Sequence, residues 1–224
     1  MKKTRRSLIF LIALFPASRF KNLIMNLLKL NIHASAKFGP NIIIGNCKIT
    51  IGEGSLVRPF NIFRNVDLRM GNEAIIGSWN WFSAAPALNK HSLFKGEMIL
   101  GDSVAINSRN YFDCSGGISF GAFSDLAGVR STFITHFIDT SINKQVCKPI
   151  RIGERTMLSS NVTVAPGAVV GAKSIVAMGS VLIADEYPSG CLIAGVPGKV
   201  KEPREGLWFN RVSGIVHADE KQSD

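Results

Sequence analysis

Three reactive side chains, His136, Asp139 and Cys147, fall close together between Phe133 and Lys148, and His91 lies beside two tryptophans in residues 78–96. Imidazole accepts a proton near neutral pH, so His136 suits a general base that activates a hydroxyl, itself a weak nucleophile. A lone loop histidine is also commonly a surface or hydrogen-bonded structural residue, and residue type does not separate the two. Asp139, three residues further on, is a candidate for setting the imidazole tautomer. Cys147 offers a covalent route through an acyl-thiol, against its plainer reading as a loop cysteine. Trp79, Trp81 and Phe82 offer flat faces to a sugar ring, or simply pack their loop onto the body. Asn107 and Asp113 are turn-type residues whose amide and carboxylate can also hold hydroxyl groups. The histidines His33, His91, His136 and His217 are scattered without a close pair, and Cys47, Cys114, Cys147 and Cys191 form no CxxC. A zinc centre or disulfide framework is therefore not expected, and a reducing compartment fits.

What must position these groups is a repeat. Ile152, Leu158, Val164, Val170, Val176 and Leu182 are spaced six apart, mostly followed by small residues and preceded two positions earlier by Ile150, Thr156, Val162, Ala168, Ser174 and Ser180. Helices and strands have side-chain periods of 3.6 and 2, so neither explains a period of six. One inward aliphatic per six residues marks a β-helical solenoid whose short strands turn at small residues. The register runs upstream with breaks through Ile44, Ile51, Ile76, Leu100, Ile106 and Phe112, then through Phe120, Leu126 and Thr132. One solenoid over residues 32–200 is predicted, with loop insertions at 78–96 and 133–148, closed by Ala194-Gly195-Val196-Pro197-Gly198-Lys199. Residues 201–224 form a polar tail with Trp208 and Phe209 as anchors, and Leu207 to Phe209 are expected to cover part of the last coil.

The chain has 224 residues, 46% of them hydrophobic and 19% charged, which suits one folded domain with a short appendage. The net charge of +10 is concentrated in residues 1–31, which hold Lys2, Lys3, Arg5, Arg6, Arg19, Lys21 and Lys29 and no acid. The rest is only mildly basic, which argues against a nucleic-acid partner. The apolar run 8–15 is too short to span a bilayer, and Ala17-Ser18-Arg19 makes a poor cleavage site. Phe20, Leu23, Ile24, Leu27 and Leu28 then recur at helical spacing opposite Lys21, Asn22, Asn26 and Lys29. Residues 1–31 read as a retained helical arm that caps the open first coil or lies on an anionic membrane surface.

Several segments together resemble the hexapeptide-repeat acyltransferases, within them the maltose/galactoside O-acetyltransferase branch and polysaccharide-cluster sugar O-acetyltransferases. They include Leu100-Gly101-Asp102, Ile106-Asn107, Asp113, Phe120-Gly121, Thr135-His136-Phe137-Ile138-Asp139, Lys148-Pro149-Ile150-Arg151-Ile152-Gly153, Ala165-Pro166-Gly167, Gly179-Ser180 and the closing Ala194 to Lys199 run, in order over residues 99–200. The resemblance implies an all-β solenoid, a left-handed parallel β-helix assembled as a homotrimer. It implies His136 as general base for direct attack of a sugar hydroxyl on acetyl-CoA, with Asn107 beside the reacting centre. Asp113, Asp139 and Trp81 become acceptor-site candidates. Ser160, Met178 and Gly179 would line the acetyl-CoA groove, with Lys199 and Lys201 near its phosphates. Two departures stand out: Ile183-Ala184 replaces the usual Thr-Lys, with Lys173 a candidate substitute, and Ser159-Ser160 replaces a Gly-Gly step. The basic arm points to a cell-surface polysaccharide or its lipid-linked precursor as acceptor, in the cytoplasm at the inner face of the membrane. An amino-sugar N-acetyltransferase and a non-catalytic scaffold are the alternatives.

Overall fold

The computed structural model describes residues 2–89 and 96–214. His91 and His217 lie outside the described residues, as does the middle of the expected 78–96 insertion. The described chain from Asn31 to Ala194 winds as a left-handed parallel β-helix of triangular section. Each coil contributes one short strand to each of three parallel sheets, here called the first, second and third face in the order the chain visits them.

The hexads explain this directly. Ile152, Leu158 and Val164 occupy the first, second and third face, and Val170 returns to pair with Ile152 one coil later. All six hexad aliphatics are buried, and so are the small or β-branched residues two positions before each. Upstream the third face fills its interior with aromatics: Phe63, Phe82, Phe112 and Phe133 stack with centroids 5.0, 4.7 and 4.9 Å apart. Buried Asn41, Asn61, Asn80 and Asn110 form a second ladder beside them. Each Oδ1 accepts a backbone N–H from the next coil, ending on Ser131. This satisfies amide groups that would otherwise be buried without partners.

The inward residue after Leu126 is Phe133 rather than Thr132, which lies outside the core. This corner holds seven residues, where Val57 to Phe63, Ile76 to Phe82, Ile106 to Phe112 and Leu158 to Val164 hold six, and Gly128 to Arg130 absorb the extra one; in the first coil the same corner holds five, so Ile43 rather than Ile44 is the inward residue. A single slip moves a strand's inward set to the opposite side, so the larger apolar side chain decides the register. The first insertion also begins later than expected. Trp81–Ser83 is a regular third-face strand, in register with Ile62–Arg64 and Tyr111–Asp113, and only beyond it does the chain leave the coil.

Helices α1 (Lys2–Ala13) and α2 (Arg19–Leu27) cap the first coil, and the facing of α2 is unexpected. Its buried residues are Lys21, Asn22 and Met25, while Phe20, Leu23 and Leu27 face outward. Lys21 Nζ reaches the carbonyl oxygens of Ala13, Phe15, Phe38 and Gly39 at 2.7–3.0 Å, and Asn22 Nδ2 donates to Ala36 and His33. An open coil end presents unpaired carbonyls, and these side chains satisfy them. Burial lowers the Lys21 pKa to about 8, which leaves the ammonium charged at neutral pH.

At the other end, Lys199–Pro203 turns back antiparallel on Cys191–Ala194 and closes the second face. The tail meets the last coil at one corner, where Leu207 and Phe209 line a cleft with Ser189 and Gly190. It runs back along the corner between first and second faces, where Phe209 is buried and Leu207 stays exposed. Arg211 donates to the carbonyl of Phe123 and lies 3.7 Å from the Trp208 ring centroid, while Arg155 donates to the carbonyls of Phe209 and Arg211. Cationic side chains that satisfy carbonyls draw the tail to this corner rather than to an apolar end.

Under this tail, burial pushes the Asp125 carboxyl up to about 6, and the nearby Arg211 only partly offsets it. A carboxyl with a raised folded pKa costs stability once the unfolded chain ionises, so the penalty sets in above the ordinary carboxylate value of about 4 and is complete above about 6. Asp125→Asn is therefore expected to stabilise the fold by about 1–2 kcal/mol at pH 8 and not at pH 4. Thermal unfolding at the two pH values measures this, and an equal change at both would refute it.

Candidate active site

Both insertions leave the solenoid at one corner, where the third face turns into the first. Helix α3 (Pro86–Asn89) follows Trp81–Ser83 there. One coil beyond the strand Tyr111–Asp113, residues 136–147 rise from the same corner as an antiparallel hairpin, His136–Asp139 with Lys144–Cys147. Helix α3 packs on the second hairpin strand. The corner places Asp113 directly beneath His136.

His136 Nδ1 lies 2.7 Å from Asp113 Oδ2. Asp113 is buried, and donors surround it. Oδ1 accepts from Ser115 Oγ at 2.6 Å and from the Ser115 N–H; Oδ2 accepts from the Thr135 N–H and lies 2.9 Å from Thr135 Oγ1. Burial alone would raise this carboxyl, but the hydrogen bonds from Ser115, His136 and Thr135 outweigh it and hold its pKa below the ordinary value. An ionised carboxylate only accepts, so Nδ1 must carry the imidazole proton. Nε2 then keeps a free lone pair, and the ring is about one-third exposed. This is an oriented base with an outward proton-accepting atom.

Asp139 does not take part in this pairing. Residues 136 and 139 are three apart on a strand and so face opposite ways. Asp139 Oδ1 instead accepts from the Ser141 N–H and Oγ, on the exposed side of the hairpin. Cys147 is the cross-strand partner of His136, and burial together with the charge of Asp113 raises its thiol pKa. A thiol held in its protonated form is a poor nucleophile, so the geometry favours imidazole over sulfur chemistry here. Among the described residues no group of three His, Cys, Asp or Glu side chains could hold a metal ion.

Asn107, Ser160, Met178 and Gly179 gather at a different corner, between the second and third faces. Asn107 follows the second-face strand Ala105–Ile106; its Nδ2 donates to the Ala127 carbonyl and its Oδ1 accepts the Ser108 N–H. Ser160, Met178 and Gly179 stand at the same corner on later coils. Ser160 Oγ accepts the Val129 N–H, so its side chain turns toward the neighbouring coil. A Cβ built on Gly128 would strike the Ser160 backbone, which shows how closely these coils approach. A Cβ at Gly179 would meet nothing within 4 Å, and Met178 is exposed, so the corner opens there. Lys199 and Lys201 are exposed on the closing strand at the edge of the second face. Lys173 sits at the third kind of corner, between first and second faces, and does not join this group. Trp81 lies on the third face between the two sets, its ring 6.3 Å from that of Tyr111.

One chain therefore separates the His136–Asp113 pair from Asn107, Ser160, Met178 and Gly179. His136 with Asp113 marks one edge of the third face, and Asn107 with Ser160, Met178 and Gly179 marks the other. Ser115 and Thr135 escaped the sequence reading, although each is adjacent in sequence to a candidate or one residue removed.

No protein-family model matches the chain, and no curated protein matches it. Solved structures do. A polysialic acid O-acetyltransferase covers 86% of this chain and 90% of its own, at 18% identity and TM-score 0.51. A UDP-N-acetylglucosamine acyltransferase covers 76% of this chain and 61% of its own, at 12% identity and TM-score 0.59. The shared feature is the hexapeptide-repeat β-helix. A hexapeptide-repeat acetyltransferase from Vibrio cholerae, solved with acetyl coenzyme A, is 22% identical over 70% of this chain and 71% of its own, with TM-score 0.43.

Proposed function

We propose that this chain is an acetyl-CoA-dependent O-acetyltransferase that acts on a sugar hydroxyl of a cell-surface polysaccharide or its lipid-linked precursor. The observation that carries this is the buried, ionised Asp113, which fixes the Nδ1–H tautomer of His136 and leaves Nε2 free. Nε2 takes the proton of the acceptor hydroxyl as its oxygen attacks the thioester carbonyl. The Asn107 amide has a second N–H to offer the developing oxyanion. Collapse of the tetrahedral species breaks the C–S bond, and the departing CoA thiolate recovers the proton from the imidazolium. The solved structures that share the fold, named as an O-acetyltransferase and an acyltransferase, support the reaction class.

The separation of the two corners supports a homotrimer. In a cyclic assembly, heterologous contacts bring one corner of a protomer against a different corner of its neighbour. Such a contact unites His136 of one copy with the groove of the next. The test of the reaction is release of free CoA thiol from acetyl-CoA on addition of saccharide acceptors, with product mass analysis. Absence of thiol release with every hydroxyl acceptor, alongside release with an amino sugar, would reassign the chain to N-acetylation.

The arm supports a membrane-side acceptor. Leu8, Leu11 and Phe15 on one side of α1 and its C-terminal end, and Phe20, Leu23 and Leu27 on α2, are all exposed at helical spacing. Meanwhile the polar Lys21 and Asn22 are buried against the solenoid. A helix turned with its apolar side outward, flanked by Lys3, Arg6, Arg19 and Lys29, suits the interface of an anionic bilayer. Among the described residues no helix is long and apolar enough to cross one. The chain is expected to sediment with vesicles containing phosphatidylserine. Leu11→Asp with Leu23→Asp should lower that partition at least about tenfold, since each change removes a buried apolar group and adds a repelled charge. Equal partition of the variant would refute the surface assignment.

A further inference from the structure

The corner that carries Asn107 has a second feature that none of this chemistry uses. At the same place in four successive coils stand Phe60, Trp79, Arg109 and Arg130, with φ of 70°, 65°, 62° and 61°. Left-handed backbone favours glycine or asparagine, which do hold the next two positions as Gly179 and Asn161. Bulky side chains at such positions project from the corner rather than into the core. The column is continuous: the Arg130 N–H donates to the Arg109 carbonyl and the Arg109 N–H to that of Ser78. Phe60 and Trp79 stack at 4.7 Å and 27°, yet they remain 50% and 60% exposed. Trp81 and Tyr111 extend this aromatic surface onto the third face, at 43% and 39% exposure. Neither Arg109 nor Arg130 forms an ion pair among the described residues.

We propose that this corner is a binding track for a carboxylate-bearing glycan chain, the acceptor polymer of the reaction above. The aromatic faces suit the apolar faces of sugar rings, and guanidinium groups pair carboxylates with two parallel hydrogen bonds. Four coils at a strand spacing of about 4.8 Å span roughly 15 Å, enough for a short run of sugar units. The track leads past Asn107 toward Ser160, Met178 and Gly179, so a polymer lying on it delivers its hydroxyls to the end assigned to acetyl-CoA. A single-stranded nucleic acid would also use aromatics and cations. Two arginines on an otherwise mildly basic body offer few phosphate contacts, which favours the glycan.

The proposal rests on the acetyltransferase reading for the purpose of the track, but its test does not require turnover. Binding of the full chain to hexagalacturonate, maltohexaose and an oligothymidylate of matching charge is measured by calorimetry without acetyl-CoA. Hexagalacturonate should bind best and weaken with salt; Arg109→Gln with Arg130→Gln should weaken it at least tenfold, and Trp79→Ala should weaken it with the circular dichroism spectrum preserved. His136→Ala should bind it as well as the wild type does. Equal binding of maltohexaose, tighter binding of oligothymidylate, or unchanged affinity in the arginine variant would overturn the track. A change of oligomeric state in Trp79→Ala would also overturn it, by showing that the aromatic column itself is spent on the contact between copies rather than left open to a glycan. Failure of acetyl transfer with intact hexagalacturonate binding would instead count against the reaction alone.

Discussion

His136→Ala is expected to lower kcat for acetyl transfer by about a thousandfold, within the range general-base catalysis supplies, while acetyl-CoA binding and assembly stay intact. The groove residues Ser160, Met178 and Gly179 are unchanged in this variant, which is why affinity should be spared. Asp113→Asn distinguishes orientation from mere proximity. An amide in place of the carboxylate keeps only one acceptor oxygen, yet donors from Ser115, Thr135 and His136 converge on this side chain. If its NH2 faces Nδ1, that nitrogen must accept and the proton moves to Nε2, which removes the base. A fall of about a hundredfold in kcat with little change in KM is expected, as for any interaction made chiefly in the transition state. Because buried donors lose a partner as well, circular dichroism and thermal unfolding must accompany the kinetics. Retention of more than a tenth of wild-type kcat by His136→Ala, in folded protein, would exclude the imidazole as the base.

The part of this molecule that a sequence reveals is the part with a period. The run from Ile152 to Leu182 states its coil directly, since each step buries one aliphatic and those three steps apart stack on one another. Upstream the same count fails at Arg130, where one extra residue makes Thr132 stand in the expected place of Phe133. Only the greater apolar area of phenylalanine, weighed against threonine, signals that slip. The asparagine ladder from Asn41 to Asn110 leaves a weaker trace, because its spacing is stretched by the insertion between Trp81 and Glu97. Asp113 and His136 are far apart in the chain, and their pairing follows only from counting both onto one corner of adjacent coils. The same count would have separated Asn107 from His136, as it sits one residue beyond Ile106 on a different face. The facing of α2 was not legible at all. Its pattern shows an apolar and a polar side, but which one packs is decided by the carbonyls of the solenoid's open end, and these become visible only in three dimensions.

That separation of corners leads to a second large effect. His136→Ala and Asn107→Ala chains should each be nearly inactive as pure trimers, and equal mixtures formed by co-refolding should regain activity. If each site takes its base from one copy and its amide from the next, half of the copies supply an intact base. Half of their neighbours supply an intact amide, so about a quarter of the sites are whole. A site contained within one chain allows no such recovery, since every chain in the mixture carries a lesion. Ser160→Trp, which fills the groove at the Asn107 corner, serves as a second partner for His136→Ala and makes the result independent of how much Asn107 itself contributes. Activity that stays at the level of the separate variants in both mixtures, with mixed trimers verified by native mass spectrometry, would place base and groove in the same protomer. The two corners would then have to be bridged by the substrate across the third face, over Trp81 and Tyr111, and the neighbour would contribute stability rather than chemistry.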